Sequence, residues 1–354
     1  MITAVEGDLG LSHGEAGAIF LFTTAGYFIS LIGSGYVNSR VTHRTMIIFS
    51  SLFIGLAMIG ISFTRSSFGL NMGMFLVGIG AGLYLPSGIA TITQLVDTRQ
   101  WGKALAIHEL APNLAFLSTP FVAEVLFLWF SWRGVVASIG IIAVIIGIVY
   151  ALSGRGGDFT GETPNYGSVT SLFRNPAYVM IIFLFSLGIA SSIGLFTMLP
   201  LYLVERCGFA RTHANTIVGL SRIFPLAIVL IGGWTVDRFG SIRTIKWVFL
   251  ITGTMTFLLG VVPPNIISVV VFLQPIVAVW FFPAGFALLS SIVPERSRSL
   301  AVSFATPIAF LIGGGLVPAG IGAMADGGLF SLAVSLVGVF LLSGGSLLFI
   351  VKKP

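Results

Sequence analysis

Eleven apolar runs, each of about 20 residues and so long enough to cross a hydrocarbon core roughly 30 Å thick as a helix, dominate the chain. They lie near 15–37, 45–63, 69–92, 104–130, 134–153, 176–204, 214–236, 245–262, 266–291, 300–323 and 329–351. Lipid offers no partner to a backbone N–H or C=O, so runs of this kind leave little choice but the helix, and the expected fold class is an all-α polytopic membrane protein. Composition agrees: 56% of residues are hydrophobic and 8% charged, where a soluble domain carries about 25% charged residues. The net charge of +6 does not argue for nucleic acid, because the basic residues are scattered between apolar runs instead of forming a patch. The lone cysteine, Cys207, excludes an internal disulfide framework and a cysteine-built zinc cluster. No basic segment precedes the first run, so no signal peptide is evident.

Most connections are short, but residues 154–175 (GRGGDFTGETPNYGSVTSLFRN) are polar and glycine-rich. The expected organisation is therefore a first bundle at 1–153, a linker at 154–175 and a six-helix second bundle at 176–354. Orientation follows from the retention of Lys and Arg on the cytoplasmic side. Only Arg65, Arg133, Arg206 and Arg211 fall in one set of loops, against Arg40, Arg44, Arg99, Lys103, Arg155, Arg174, Arg238, Arg243, Lys246, Arg296, Arg298, Lys352 and Lys353 in the other. This places the linker and the C-terminus in the cytoplasm of a cell with an inner membrane, and the N-terminus outside.

The halves repeat. PSGIATITQLVDTR (Pro86–Arg99) and PAGFALLSSIVPER (Pro283–Arg296) share Pro, Gly, Ala, Val and Arg at a constant offset of 197. LAIHELAP (Leu105–Pro112) and LAVSFATP (Leu300–Pro307) follow, and two loops, GYVNSRVTHR (Gly35–Arg44) and GWTVDRFGSIR (Gly233–Arg243), also correspond. A parallel repeat in a polytopic chain points to a transporter whose bundles rock around a site at their interface.

On these residues the chain resembles the major facilitator superfamily, whose loop signature in each half reads G-x-x-x-D-R-x-G-R/K. Gly233, Asp237, Arg238 and Gly240 fit it, with Arg243 two positions late. The first-half copy keeps Gly35, Arg40, His43 and Arg44 but has Ser39 for Asp and Thr42 for Gly. The resemblance implies a major facilitator fold of two pseudo-symmetric bundles, with these loops acting in the gate. It also implies twelve spans, so that a first family helix, which in the family lines the cavity, is expected to be missing before the first run. Proton-driven drug exporters carry an Arg where Met74 stands here, and of their second motif AFLSTPFVAE (Ala115–Glu124) keeps only Pro120. A drug/proton antiporter is the less favoured alternative, and a non-transporting membrane sensor or scaffold is an alternative of another class.

Arg222 lies about 12 Å into its span at 1.5 Å per residue. An unpaired guanidinium at that depth costs at least about 2.5–3.5 kcal/mol on insertion scales, so it should face protein or water. Its fork suits a carboxylate, and the resemblance extends to organic-anion members with a substrate-binding Arg on this helix. The alternative is an Arg–Glu pair that only fixes packing. In AIHELAPNLAFLSTPFVAEVL, Glu109, Asn113, Phe116, Pro120 and Glu124 share one face at about 100° per residue, and Pro112 can kink the helix. Glu109, His108 and Glu124 are candidate proton carriers, because burial raises a carboxyl pKa and His titrates near neutrality. Asn113, Tyr27, Tyr84 and Trp280 join Arg222 as candidate substrate contacts, and Thr23, Thr24, Asn71 and Gln274 as cavity lining. The run Gly78–Gly82 (GIGAG) reads as close helix packing and not as a nucleotide loop. The expectation is a monomeric secondary transporter in the lipid bilayer, not an enzyme, with no metal, cofactor or nucleic acid. It would move a small anion by proton symport or exchange against a counter-anion.

Overall fold

The computed structural model describes residues 1–97, 101–161, 166–293 and 298–348, and all regular structure among them is helical. Of the expected site residues, the side chains of Glu109 and Asn113 and the surroundings of Gly233 lie outside that description, as do the topology residues Arg99, Arg296, Lys352 and Lys353. Among the described residues, eight helices are long and apolar enough to cross a membrane. The sequence suggests eleven; helix is present at the other three runs too, but several side chains of the run near 214–236 lie outside the described residues, and the described apolar parts of the other two, Leu114–Leu126 and Phe330–Ser346, are shorter.

The chain divides into two compact units. The first takes in 22–116 and 122–165. It holds most of α2 (His13–Asn38), α3 (His43–Ser62), α4 (Ser67–Leu95), most of α5 (Trp101–Leu126) and α6 (Trp132–Ser153). Helices α3 and α4 start with side-chain caps, Thr42 accepting from the Thr45 N–H and Ser66 from the Gly69 N–H, as their residue types favour. Small residues bring the helices together. Gly78 and Gly82 on α4 lie against the Thr23 and Tyr27 carbonyls of α2, where a Cβ has no room. On α3, a Cβ at Gly55 would stand 2.6 Å from the Gly140 carbonyl of α6. In lipid, where apolar burial drives little association, such backbone approach supplies the dispersion contacts.

The second unit takes in 2–21, 117–121 and 166–354. Its helices are α1 (Ile2–Leu9), the start of α2, α7 (Tyr166–Phe173), α8 (Pro176–Ile189), α9 (Leu195–Cys207), α10 (Arg211–Leu220), α11 (Ile223–Phe239) and α12 (Ser241–Val261). They continue with α13 (Pro264–Ala278), α14 (Phe281–Ile292), α15 (Arg298–Ala309), α16 (Val317–Asp326) and α17 (Phe330–Leu347). The stretch read as a linker thus contributes a helix here. The core gathers buried Tyr178, Phe185, Met198, Tyr202, Phe249 and Phe281.

Breaks in the long helices position the site. Between α8 and α9, and between α15 and α16, the chain makes π-helical turns at Ala190–Gly194 and Phe310–Leu316. These two turns face each other, with Gly194 and Gly313 in backbone contact. Between α10 and α11 the helix stops at Ser221 and Arg222. Pro225 has no N–H for the Ser221 carbonyl, and the Arg222 N–H turns back to Gly219 at 3.1 Å. The break at Val279 and Trp280, between α13 and α14, follows the same logic through Pro283.

Candidate functional site

Arg222 therefore sits at a helix break and not within a continuous helix, as its run suggests. Its Nη2 donates to the Ser192 carbonyl at 2.5 Å, inside the first π turn. Its guanidinium carbon lies 3.9 Å from the centre of the Phe196 ring, a cation–π contact. Ser221, Leu195, Phe196 and Gln274 line a cavity of about 10 Å³ beside it, room for one water. Gln274 is buried, and its amide donates to the Ser191 carbonyl at 2.9 Å and to Thr256 Oγ1 at 3.2 Å. Two neighbouring carbonyls of one π turn thus accept from Arg222 and Gln274. Trp280, at the other break, donates its indole N–H to the Ile228 carbonyl of α11 at 3.2 Å. The structure thus places Arg222 and Gln274 side by side in the second unit, and Trp280 pins the helix that follows Arg222.

In the first unit, Tyr84 on α4 and His108 on α5 come together. The Tyr84 hydroxyl and His108 Nε2 are 3.1 Å apart, and the rings stack at 5.9 Å with 15° between planes. Such a pair can pass a proton between a phenol and an imidazole that share one hydrogen bond. Tyr27 is half-buried on α2, which packs on α4, and Glu124 is half-buried near the end of α5.

The signature loops differ. In the second unit Gly240, at φ 80° and ψ 154°, closes α11 through its N–H on the Val236 carbonyl and accepts the Thr244 N–H at 3.1 Å. Asp237 and Arg238 are exposed, and the Arg238 guanidinium lies over Trp234 at 5.4 Å. In the first unit Arg40 lies over Tyr36 at 4.3 Å. Arg44 reaches the Ala151 carbonyl at 3.1 Å and Asp158 at 3.9 Å.

Sequence reasoning missed a polar cluster in the second unit. Asp326, at the end of α16, accepts the N–H groups of His13 and Gly14 at 2.6 and 2.9 Å, capping α2 from a distant part of the chain. Ser12 and Glu15 add a capping box, a signal that was present as Ser-His-Gly-Glu. His13 Nδ1 meets Glu6 at 2.5 Å. Burial pushes the Glu6 carboxyl above its ordinary pKa, with His13 opposing. Among the described residues no three His, Cys, Asp or Glu are placed to hold a metal ion.

Comparison with known proteins adds three findings. Residues 1–318 match the sequence profile of the Major Facilitator Superfamily. The Protein TsgA of Escherichia coli O9:H4 (strain HS) is 30% identical over 131 residues, 37% of this chain and 33% of TsgA, so the match spans about a third of that relative. Among solved structures, a bacterial homolog of the human lysosomal transporter Spinster, inward-facing and occupied, has a TM-score of 0.81 at 15% identity, covering 99% of this chain and 92% of the other. A D-xylose-proton symporter has 0.78 at 16%, covering 98% and 91%. At such identities the likeness is one of fold.

Proposed function

The chain belongs to the Major Facilitator Superfamily, and from that premise we propose that it is a secondary transporter of a small organic anion, a carboxylate, with Arg222 as the anion contact. The observation that carries this reading is the setting of Arg222. Its fork is held by the Ser192 carbonyl and the Phe196 face at the break between α10 and α11. A planar donor whose orientation is set by its neighbours is what two parallel hydrogen bonds to a carboxylate require. Helix breaks and π turns, which loosen the backbone ladder, suit a site that must rearrange during transport. Trp280 and Tyr84, with Tyr27 and Asn113, complete the proposed contacts. Proton symport through the Tyr84–His108 pair, with Glu109 and Glu124, supports uptake; exchange against a counter-anion uses the same Arg222. The protein works as a monomer in the inner membrane, with linker and C-terminus in the cytoplasm.

A second reading rests on the same two contacts: Arg222 ties the break to the π turn and meets no substrate. Thermal unfolding of the detergent-purified protein with formate, lactate, oxalate, phosphate, a neutral sugar and a cationic drug separates the two. A ligand at 100 times its Kd stabilises by about 2.7 kcal/mol. Carboxylates alone should raise the midpoint, and Arg222→Gln should abolish that rise while remaining folded. An equal rise in Arg222→Gln rejects the anion contact, and a lowered midpoint with no ligand effect in either protein leaves the packing role.

A further inference from the structure

The first signature loop lacks the Asp and the Gly of its pattern, with Ser39 and Thr42 in their places, and the structure shows what lies against it. Residues 154–161, the start of the stretch read as a linker, run along the loop from Asn38 to Arg44. The His43 N–H donates to the Phe159 carbonyl at 3.0 Å, the Arg44 N–H to the Gly157 carbonyl at 2.8 Å, and the Gly161 N–H to the Asn38 carbonyl at 2.7 Å. His43 and Arg44 open α3, so these are donors that a helix cannot satisfy by itself. The Thr42 hydroxyl takes the next one, from Thr45.

The contact is specific on the linker side as well. Gly156 and Gly157 adopt φ of 81° and 79°, which side chains rarely tolerate. A Cβ at Gly157 would stand 2.7 Å from Thr91 Oγ1 and 2.8 Å from the Arg44 nitrogen. The Gly157 N–H donates to Gln94 on α4 at 2.9 Å. The Phe159 ring lies 4.7 Å from the His43 ring, and His43 is buried with Ser87 and Asn38 in a hydrogen-bonded row at 3.1 and 3.2 Å. Asp158 brings a carboxylate to 3.9 Å from Arg44, the last basic residue of the signature.

We propose that residues 154–161 are a permanent clasp that stands in for the missing signature residues, with Gly157, Asp158 and Phe159 as positioning residues for the first loop. The second loop closes on itself through Gly240, whereas the first borrows carbonyls and a carboxylate from the chain that leaves α6. The clasp stays shut through the transport cycle, so that its role is to hold the loop at the right place and not to release it. This rests on the reading of the chain as a carrier and is independent of Arg222.

The test uses the full chain in nanodiscs, with hydrogen exchange resolved at His43 and Arg44. Gly157→Val should speed exchange at both by about fivefold, the loss of one net hydrogen bond's worth of local protection, and leave Thr244 in the other loop within about twofold. Reconstituted into liposomes, it should lower the maximal uptake of radiolabelled formate, lactate or oxalate at an unchanged half-saturating concentration. Should Gly157→Val fail to fold, the pair Asn38→Cys and Gly161→Cys in a Cys207→Ser background serves. A Cβ built at Gly161 lies 3.4 Å from that of Asn38, close to disulfide geometry. Because the clasp is already shut, oxidation should leave exchange at His43 and Arg44 within about twofold and leave uptake intact. Unchanged exchange in Gly157→Val, or a folded cysteine pair that fails to cross-link, overturns the clasp, and uptake blocked by the disulfide overturns its permanence. If wild type takes up none of the three anions, the anion reading fails while the exchange data still decide the clasp.

Discussion

The two signature loops solve one problem in different ways. Each must turn the chain between two long helices and satisfy the N–H groups that open the second. The loop before α12 turns locally: Gly240 takes φ 80° and ψ 154°, its N–H closes α11 on the Val236 carbonyl, and its carbonyl receives the N–H and the hydroxyl of Thr244. The loop before α3 has Thr42 at the matching place with φ −67°, an ordinary extended cap. The Thr42 carbonyl receives the Met46 N–H in the same way, and the N–H groups of His43 and Arg44 are met from outside the loop, by the Phe159 and Gly157 carbonyls. A degraded motif is therefore no sign of a lost function, because the geometry has been supplied from elsewhere in the chain.

That contrast can be broken at several points. The largest effect is expected at Gly240. A Cβ there meets nothing within 4 Å, so Gly240→Val isolates backbone strain and should cost about 1–3 kcal/mol, read as a lower thermal midpoint. Thr42→Ala, which removes the local cap of α3, should cost about 1 kcal/mol, and Thr42→Gly only a few tenths. If Thr42→Gly instead stabilised the protein strongly, the first loop would be shown to want the glycine of its pattern after all, and the contrast would fall. Asp158→Asn should have the smallest effect, since its carboxylate is 68% exposed and 3.9 Å from Arg44; about 0–1 kcal/mol is expected, fading in salt. A loss well beyond that would move the weight of the clasp from its backbone to its charge.

Much of the architecture was legible because its signals are local. Apolar runs of membrane-crossing length, loop signatures and a repeat at constant offset point to the family without any long-range information. Arg222 was legible as well, since a fixed charge in an apolar run needs no structure to be noticed. Its partners were not. Nothing in the order of residues ties Arg222 to the Ser192 carbonyl or to Phe196, and Ala190–Gly194 shows no composition that marks a π turn. The break at Arg222 has a signal in Pro225, but the apolar run around it reads as continuous. The stretch 154–175 looked like a spacer because it is polar and rich in glycine. Its first eight residues are instead held at Gly157 and Phe159, and Tyr166–Phe173 is a helix. Composition reports how easily a segment bends, and not what it bends onto.

By itself, the sequence determined what the bilayer and the covalent chain impose: helices where backbone groups have no other partner, the superfamily, and a charge that must be accounted for. Only the tertiary structure decided which helix ends are satisfied from afar. The carbonyls of Gly157 and Phe159 cap α3 and the carboxylate of Asp326 caps α2. The physical reason is that a helix leaves its first N–H groups open whatever its sequence, and any acceptor brought close by packing can close them.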